Sequence, residues 1–285
     1  MTVTAHSAIP QAVLLAPAFA KLRFVMQSPK KSLRLMQPIV VALATSDRNP
    51  IVRHESAFAL GELADPFSIS VLGKCLKNDP EPIVRHEAAF ALAFTHSPEA
   101  LFLLLETIQD SSKIVRETVE IAIHNLIFDL GSNLSHSLKS LKLKKNINSY
   151  IKFMASPAGA LAPFMRIRSI NQLRKKREIK SVLKLVKFLK EDDNSIVRHE
   201  AAYSLGELGY ELAICYLIES LKSDPDAIVR HEAAFALGIM AKPAALKAIK
   251  SVKPDKSKIV RDTVQIAIDN LQYDLDSSRP DHVFS

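Results

Sequence analysis

The chain has 285 residues, 48% of them hydrophobic, which is enough for a sizeable buried core. Seven glycines and no tryptophan argue against a turn-dense all-β architecture, and no apolar run is long enough to span a membrane. The net charge of +8 is unevenly spread, because residues 138–190 hold 15 Lys/Arg against the single acid Glu178; that segment carries +14 and the remainder −6. Within it, the Lys/Arg-rich stretch 166–190 could serve nucleic acid, but it has little aromatic interleaving and is read as a solvated helix face, with no nucleic-acid partner expected.

The first residues, MTVTAHSAIPQAVLLAPAFAKLRF, are apolar, yet no basic segment precedes the hydrophobic part as it would in a secretory signal. No acid occurs before Asp47, as in a transit segment, but residues from about 17 onward belong to the first repeat. The two cysteines, Cys75 and Cys215, have no metal-ligand spacing, and the expectation is a reduced, cytoplasmic setting.

Internal repetition dominates the rest. The word IVRHE occurs at 51–55, 83–87, 196–200 and 228–232. Its histidines are spaced by 32 residues within a half and by 145 between halves. The same offset of 145 lays SKIVRETVEIAIHNL (112–126) on SKIVRDTVQIAIDNL (257–271) without a gap. Each unit reads as two helices and a turn: NDPEP (78–82) and SDPDA (223–227) suggest Asp79 and Asp224 as caps, with Pro80 and Pro225 in the first helical position. KPAAL (242–246) opens a partner helix. A hairpin of this kind buries its apolar face only by stacking on a neighbour. The predicted fold is therefore an all-α solenoid of about eight helical hairpins in two symmetric halves, residues 17–130 and 162–275, joined by a linker at 131–161.

The third IVR unit of each half separates scaffold from site. It keeps Ile-Val-Arg but replaces His-Glu by Glu117-Thr118 and Asp262-Thr263. By that comparison Arg53, Arg85, Arg198 and Arg230 belong to the scaffold, pairing with a carboxylate or helix end of a neighbouring unit. The His-Glu pairs are candidates for function. On a helical projection of 228–240, Val229, Ala233, Ala236, Leu237 and Met240 form the core arc, with His231 roughly opposite. An aromatic follows each His at +4 and a small residue at +7: His54/Phe58/Gly61, His86/Phe90/Ala93, His199/Tyr203/Gly206 and His231/Phe235/Gly238. Stacking puts the two His of one half about 10 Å apart or less, and the small residue is read as leaving room for a ligand. His6, His96, His124, His136 and His282 have no repeated context and are read as incidental.

Imidazoles and carboxylates without thiolates suit a redox-active or Lewis-acidic first-row metal rather than a closed structural zinc. If the halves face each other, eight ligands converge. Two metals with two His and one Glu apiece use six, and two carboxylates remain, for instance to hold a cationic substrate. The residues alone leave open which two. No nucleophile elbow, P-loop, dinucleotide fingerprint or HExxH string is present.

Two halves of HEAT-like repeats with four V-R-H-E motifs, and third units reading V-R-E and V-R-D, resemble the deoxyhypusine hydroxylases over residues 17–275. The resemblance implies a non-haem di-iron monooxygenase that uses two Fe2+ ions and dioxygen. Its substrate is the deoxyhypusine side chain of the translation initiation/elongation factor that carries hypusine. It also implies His54, His86 and Glu200 on one iron, His199, His231 and Glu55 on the other, and Glu87 and Glu232 as contacts to substrate amines. The basic segment and Ala93, where the other units have Gly, depart from the family pattern away from these ligands. A non-enzymatic HEAT scaffold or a bilin lyase-like protein is the alternative, sharing the repeat but not a need for four His-Glu pairs.

Overall fold

The computed structural model describes residues 13–14, 16–131 and 161–276. They are helical throughout apart from turns, with no strand among them, and they separate into two compact units, residues 1–164 and 165–285. Most of the predicted linker, the N-terminal stretch up to Gln11, His6, His136 and His282 lie outside the described residues.

In the first unit the helices are α1 Ala18–Gln27, α2 Lys30–Leu35, α3 Gln37–Ser46, α4 Pro50–Leu63, α5 Pro66–Asn78, α6 Pro82–Ala93, α7 Pro98–Glu106 and α8 Lys113–Leu130. Helix α9, Leu161–Lys176, is followed in the second unit by α10 Ile179–Glu191, α11 Ser195–Leu208 and a 3-10 turn Glu211–Ala213. The unit closes with α12 Ile214–Ser223, α13 Ala227–Ile239, α14 Pro243–Lys250 and α15 Lys258–Leu275. The solenoid reading holds, with α8 and α15 each standing as a single described helix where a pair was expected. The first repeat has three helices, because Pro38 in the first turn of α3 marks a fresh start after Met36.

The IVR helices stack directly: α4 on α6 and α6 on α8, then α11 on α13 and α13 on α15. Glycine sets this spacing. A Cβ on Gly61 would lie 2.9 Å from the Ala91 Cα, on Gly206 2.7 Å from the Ala236 Cα, and on Gly238 2.9 Å from the Ala267 Cα. The small residue at +7 therefore admits the backbone of the next helix rather than a ligand, which corrects the expectation of binding room there. Asn125 and Asn270 secure the same seam by donating to the carbonyls of Ala93 and Gly238, at 3.2 and 2.9 Å.

The recurrent cation is structural, as expected. Arg53 donates through Nε and Nη2 to both oxygens of Asp79 (2.7 and 2.9 Å), and Arg198 does the same to Asp224 (2.8 and 2.9 Å). Arg85 and Asp110, and Arg230 and Asp255, repeat this fork. Lys21 with Asp47 and Arg166 with Asp192 extend the row to the first repeat of each unit. Every one of these Arg residues from the IVR word also donates to the carbonyl of the Asp that opens its own unit, as Arg53 does to Asp47 and Arg230 to Asp224 (both 2.8 Å).

Those aspartates do not cap helices in the predicted way. Asp79 and Asp224 are the C-terminal caps of α5 and α12, and α6 and α13 begin at Pro82 and Ala227 behind Glu81 and Asp226. Their carboxylates accept from the backbone N–H two residues on, at 2.9 Å, and from the Arg of the preceding unit. A side chain committed to both bonds forms the inter-repeat turn, so the helix starts later.

Candidate metal centre

The four His-Glu pairs sit in the middle of these stacked helices and are buried. His86 and His231 are fully buried, and Glu55, Glu87, Glu200 and Glu232 are 5% exposed or less. The face of α13 that the projection set opposite the core, the His231 face, is buried as well. Eleven of the thirteen residues of α13 are buried, because the face away from the unit's core packs on neighbouring helices of the stack. Burying carboxylates at this depth is costly unless charge partners or a metal compensate them.

Within the first unit, the His54 and His86 rings are stacked with centroids 6.4 Å apart, inside the spacing expected for adjacent helices. Phe90 continues the stack at 6.4 Å from His86. The Nδ1 of His54 lies 3.0 Å from Oε1 of its neighbour Glu55, and its Nε2 lies 3.4 Å from Oε2 of Glu87 on the next helix. The second unit repeats this with different distances: His199 Nδ1 is 3.3 Å from Glu200 Oε1, and Nε2 is 3.1 Å from Glu232 Oε2. Burial pushes the His199 imidazolium down, but the charge of Glu232, with Glu200 beside it, outweighs that and holds its pKa well above the ordinary value.

The second histidine of each unit is held differently. His86 Nδ1 is 2.6 Å from the Thr118 hydroxyl, and His231 Nδ1 is 2.6 Å from that of Thr263. These threonines stand in α8 and α15, in the third IVR units, where the preceding units have Glu. Sequence reasoning set those units aside as scaffold and missed them. The available signal was the same Glu-to-Thr exchange at both places, 145 residues apart.

Of the histidines read as incidental, His124 is buried against Phe164, with ring centroids at 6.4 Å, and burial lowers its pKa. His96 lies at the surface with Nδ1 3.4 Å from Asp129. Neither joins the cluster of its unit.

Each unit thus assembles two imidazoles and two carboxylates at a dry location, without a thiolate: His54, His86, Glu55 and Glu87 in one, His199, His231, Glu200 and Glu232 in the other. This set of borderline imidazole nitrogens and hard carboxylate oxygens, with ring nitrogens already engaged by second partners, fits a divalent first-row metal.

The HEAT repeat family matches residues 38–124, 163–238 and 182–269. Deoxyhypusine hydroxylase of Rattus norvegicus is 31% identical over 239 residues, covering 80% of this chain and 78% of the relative. The chain belongs to the deoxyhypusine hydroxylase family. The enzyme of that name from Drosophila melanogaster is also 31% identical, over 253 residues, covering 82% of this chain and 80% of its own. The structure of human deoxyhypusine hydroxylase in complex with glycerol superposes with a TM-score of 0.71 at 26% identity, covering 93% of this chain and 95% of the human one. No described helix is long and apolar enough to cross a membrane. Membership of an enzyme family that covers both halves sets the scaffold and bilin lyase alternatives aside.

Proposed function

We propose that this hydroxylase is a di-iron monooxygenase acting on the deoxyhypusine side chain of the translation factor that carries hypusine, completing hypusine synthesis in the cytoplasm. The observation that carries the reading is the repeated buried set of two His and two Glu in each half, conserved in spacing and burial between the two units of one chain. Bound iron would supply the activation of dioxygen, with an external reductant completing the monooxygenase stoichiometry.

By family resemblance, His54, His86 and Glu200 hold one iron and His199, His231 and Glu55 the other. Glu87 and Glu232 remain for the substrate. A carboxylate as buried as these attracts an ammonium group strongly, because little water competes for it. The deoxyhypusine side chain offers amines of that kind. Glu87 and Glu232 lie beside His54 and His199, whose imidazoles anchor them at a definite position.

Iron analysis of protein reconstituted with Fe2+ under anaerobic conditions, together with mass analysis of the modified factor, tests this. The expected result is about two irons per chain and oxygen-dependent gain of one oxygen atom by the deoxyhypusine residue. Fewer than two irons after full reconstitution, with an unmodified factor, would overturn it.

A further inference from the structure

We infer that Thr118 and Thr263 are positioning residues that fix the tautomer of His86 and His231, so that each presents the lone pair of Nε2. This rests on the reading of those histidines as iron ligands.

One proton decides the tautomer. A threonine hydroxyl has a single hydrogen to donate. Thr118 Oγ1 lies 2.8 Å from the Ile114 carbonyl one helical turn back, and Thr263 Oγ1 lies 2.8 Å from the Ile259 carbonyl. A carbonyl can only accept, so each hydroxyl spends its hydrogen there. The same oxygen sits 2.6 Å from a histidine Nδ1 and must accept from it. His86 and His231 are therefore Nδ1–H tautomers, and in the neutral ring the lone pair falls on Nε2. Both threonines and both histidines are fully buried, so water does not compete for these bonds.

The contrast with His54 and His199 shows why a hydroxyl stands here. In those rings the residue at the equivalent place in the following unit is Glu87 or Glu232, and it approaches Nε2. At the end of the row Thr replaces Glu and meets Nδ1 instead. Had the carboxylate series continued through residue 118, each half would bury a third acid beside two imidazoles. A neutral acceptor orients the ring without adding that charge, and partners of this kind set ligand basicity and orientation at metal sites.

Two measurements on Thr118→Val and Thr118→Ser, and on the matching variants of Thr263, test the role. The first is the long-range 1H–15N spectrum of the histidine rings in metal-free protein, with His86 identified by the signals lost in His86→Gln. The second is Fe2+ affinity by anaerobic competition with a chromophoric chelator. In the wild type, His86 is expected as the Nδ1–H tautomer. Thr118→Val, which keeps volume and drops the hydroxyl, should show mixed tautomers and bind iron at one of two sites about 10–100-fold more weakly. Thr118→Ser restores the hydroxyl and should restore both readouts, which separates positioning from a general folding defect. Wild-type iron binding with an unchanged spectrum and affinity in Thr118→Val overturns the positioning role alone. No Fe2+ uptake by the wild type overturns the ligand reading and this role with it.

Discussion

Two rows of side chains run across the same stacked helices, one position apart in sequence, and they do different work. In the arginine row, Arg53, Arg85, Arg198 and Arg230 join each unit to the next through a forked pair with an aspartate that also shapes the turn. The histidine row sets two buried carboxylates beside two imidazoles in each unit, and ends in threonine rather than in another acid. The arginines continue into the third unit, where Arg116 and Arg261 still donate to the carbonyls of Asp110 and Asp255. The His-Glu pairs stop there. The arginine row closes on its own acids and serves the fold, whereas the histidine row gathers acid and imidazole in a buried position whose charge a bound cation would offset.

Cutting the arginine row should cost the most stability. Arg85→Met leaves Asp110 largely buried without its fork, and breaking such a pair costs about 3 kcal/mol. The denaturant midpoint should fall accordingly at unchanged slope. A midpoint within experimental error of the wild type would show that the row is ornamental.

A smaller effect distinguishes the rows by pH. Burial raises the carboxyl pKa of Asp255, but the hydrogen bonds from Arg230 and from the Ser257 N–H outweigh it and leave the value below the ordinary carboxylate range; Asp110, with Arg85 and Ser112, behaves alike. A folded-state pKa below the unfolded one means the unfolded chain takes up protons first. The stabilisation is therefore present above the unfolded carboxylate value, about pH 4, and is lost as pH falls through the lower folded value. Asp255→Asn should cost about 1–2 kcal/mol at neutral pH and flatten the acid limb of a stability profile. An acid limb as steep as that of the wild type would remove Asp255 from the account.

Much of this was readable in the sequence, for a physical reason: a repeat supplies its own control. The offset of 145 residues exposed the two halves, and the loss of His-Glu in the third unit singled out the eight side chains that the structure buries in two matching clusters. Arginine pairing followed because a cation at one turn of every stacked helix needs a regular acid. Three features were not readable. The glycine at +7 can mean a cavity or a close backbone approach, and only the distance to Ala91, Ala236 or Ala267 decides. The position of a helix start within an Asp-Pro turn depends on whether the aspartate is already taken by an arginine from another repeat. Thr118 and Thr263 escaped notice because comparison between units flags what is lost and passes over what replaces it.

The division into rows is tested most directly by counting iron in His86→Gln and Arg85→Met side by side, each checked for helical content after anaerobic reconstitution. His86→Gln should fold with a midpoint closer to the wild type than Arg85→Met and fall from about two irons per chain to about one. Arg85→Met, under conditions where it is folded, should keep both. A His86→Gln protein that retains two irons, or a folded Arg85→Met protein that loses them, would contradict the account.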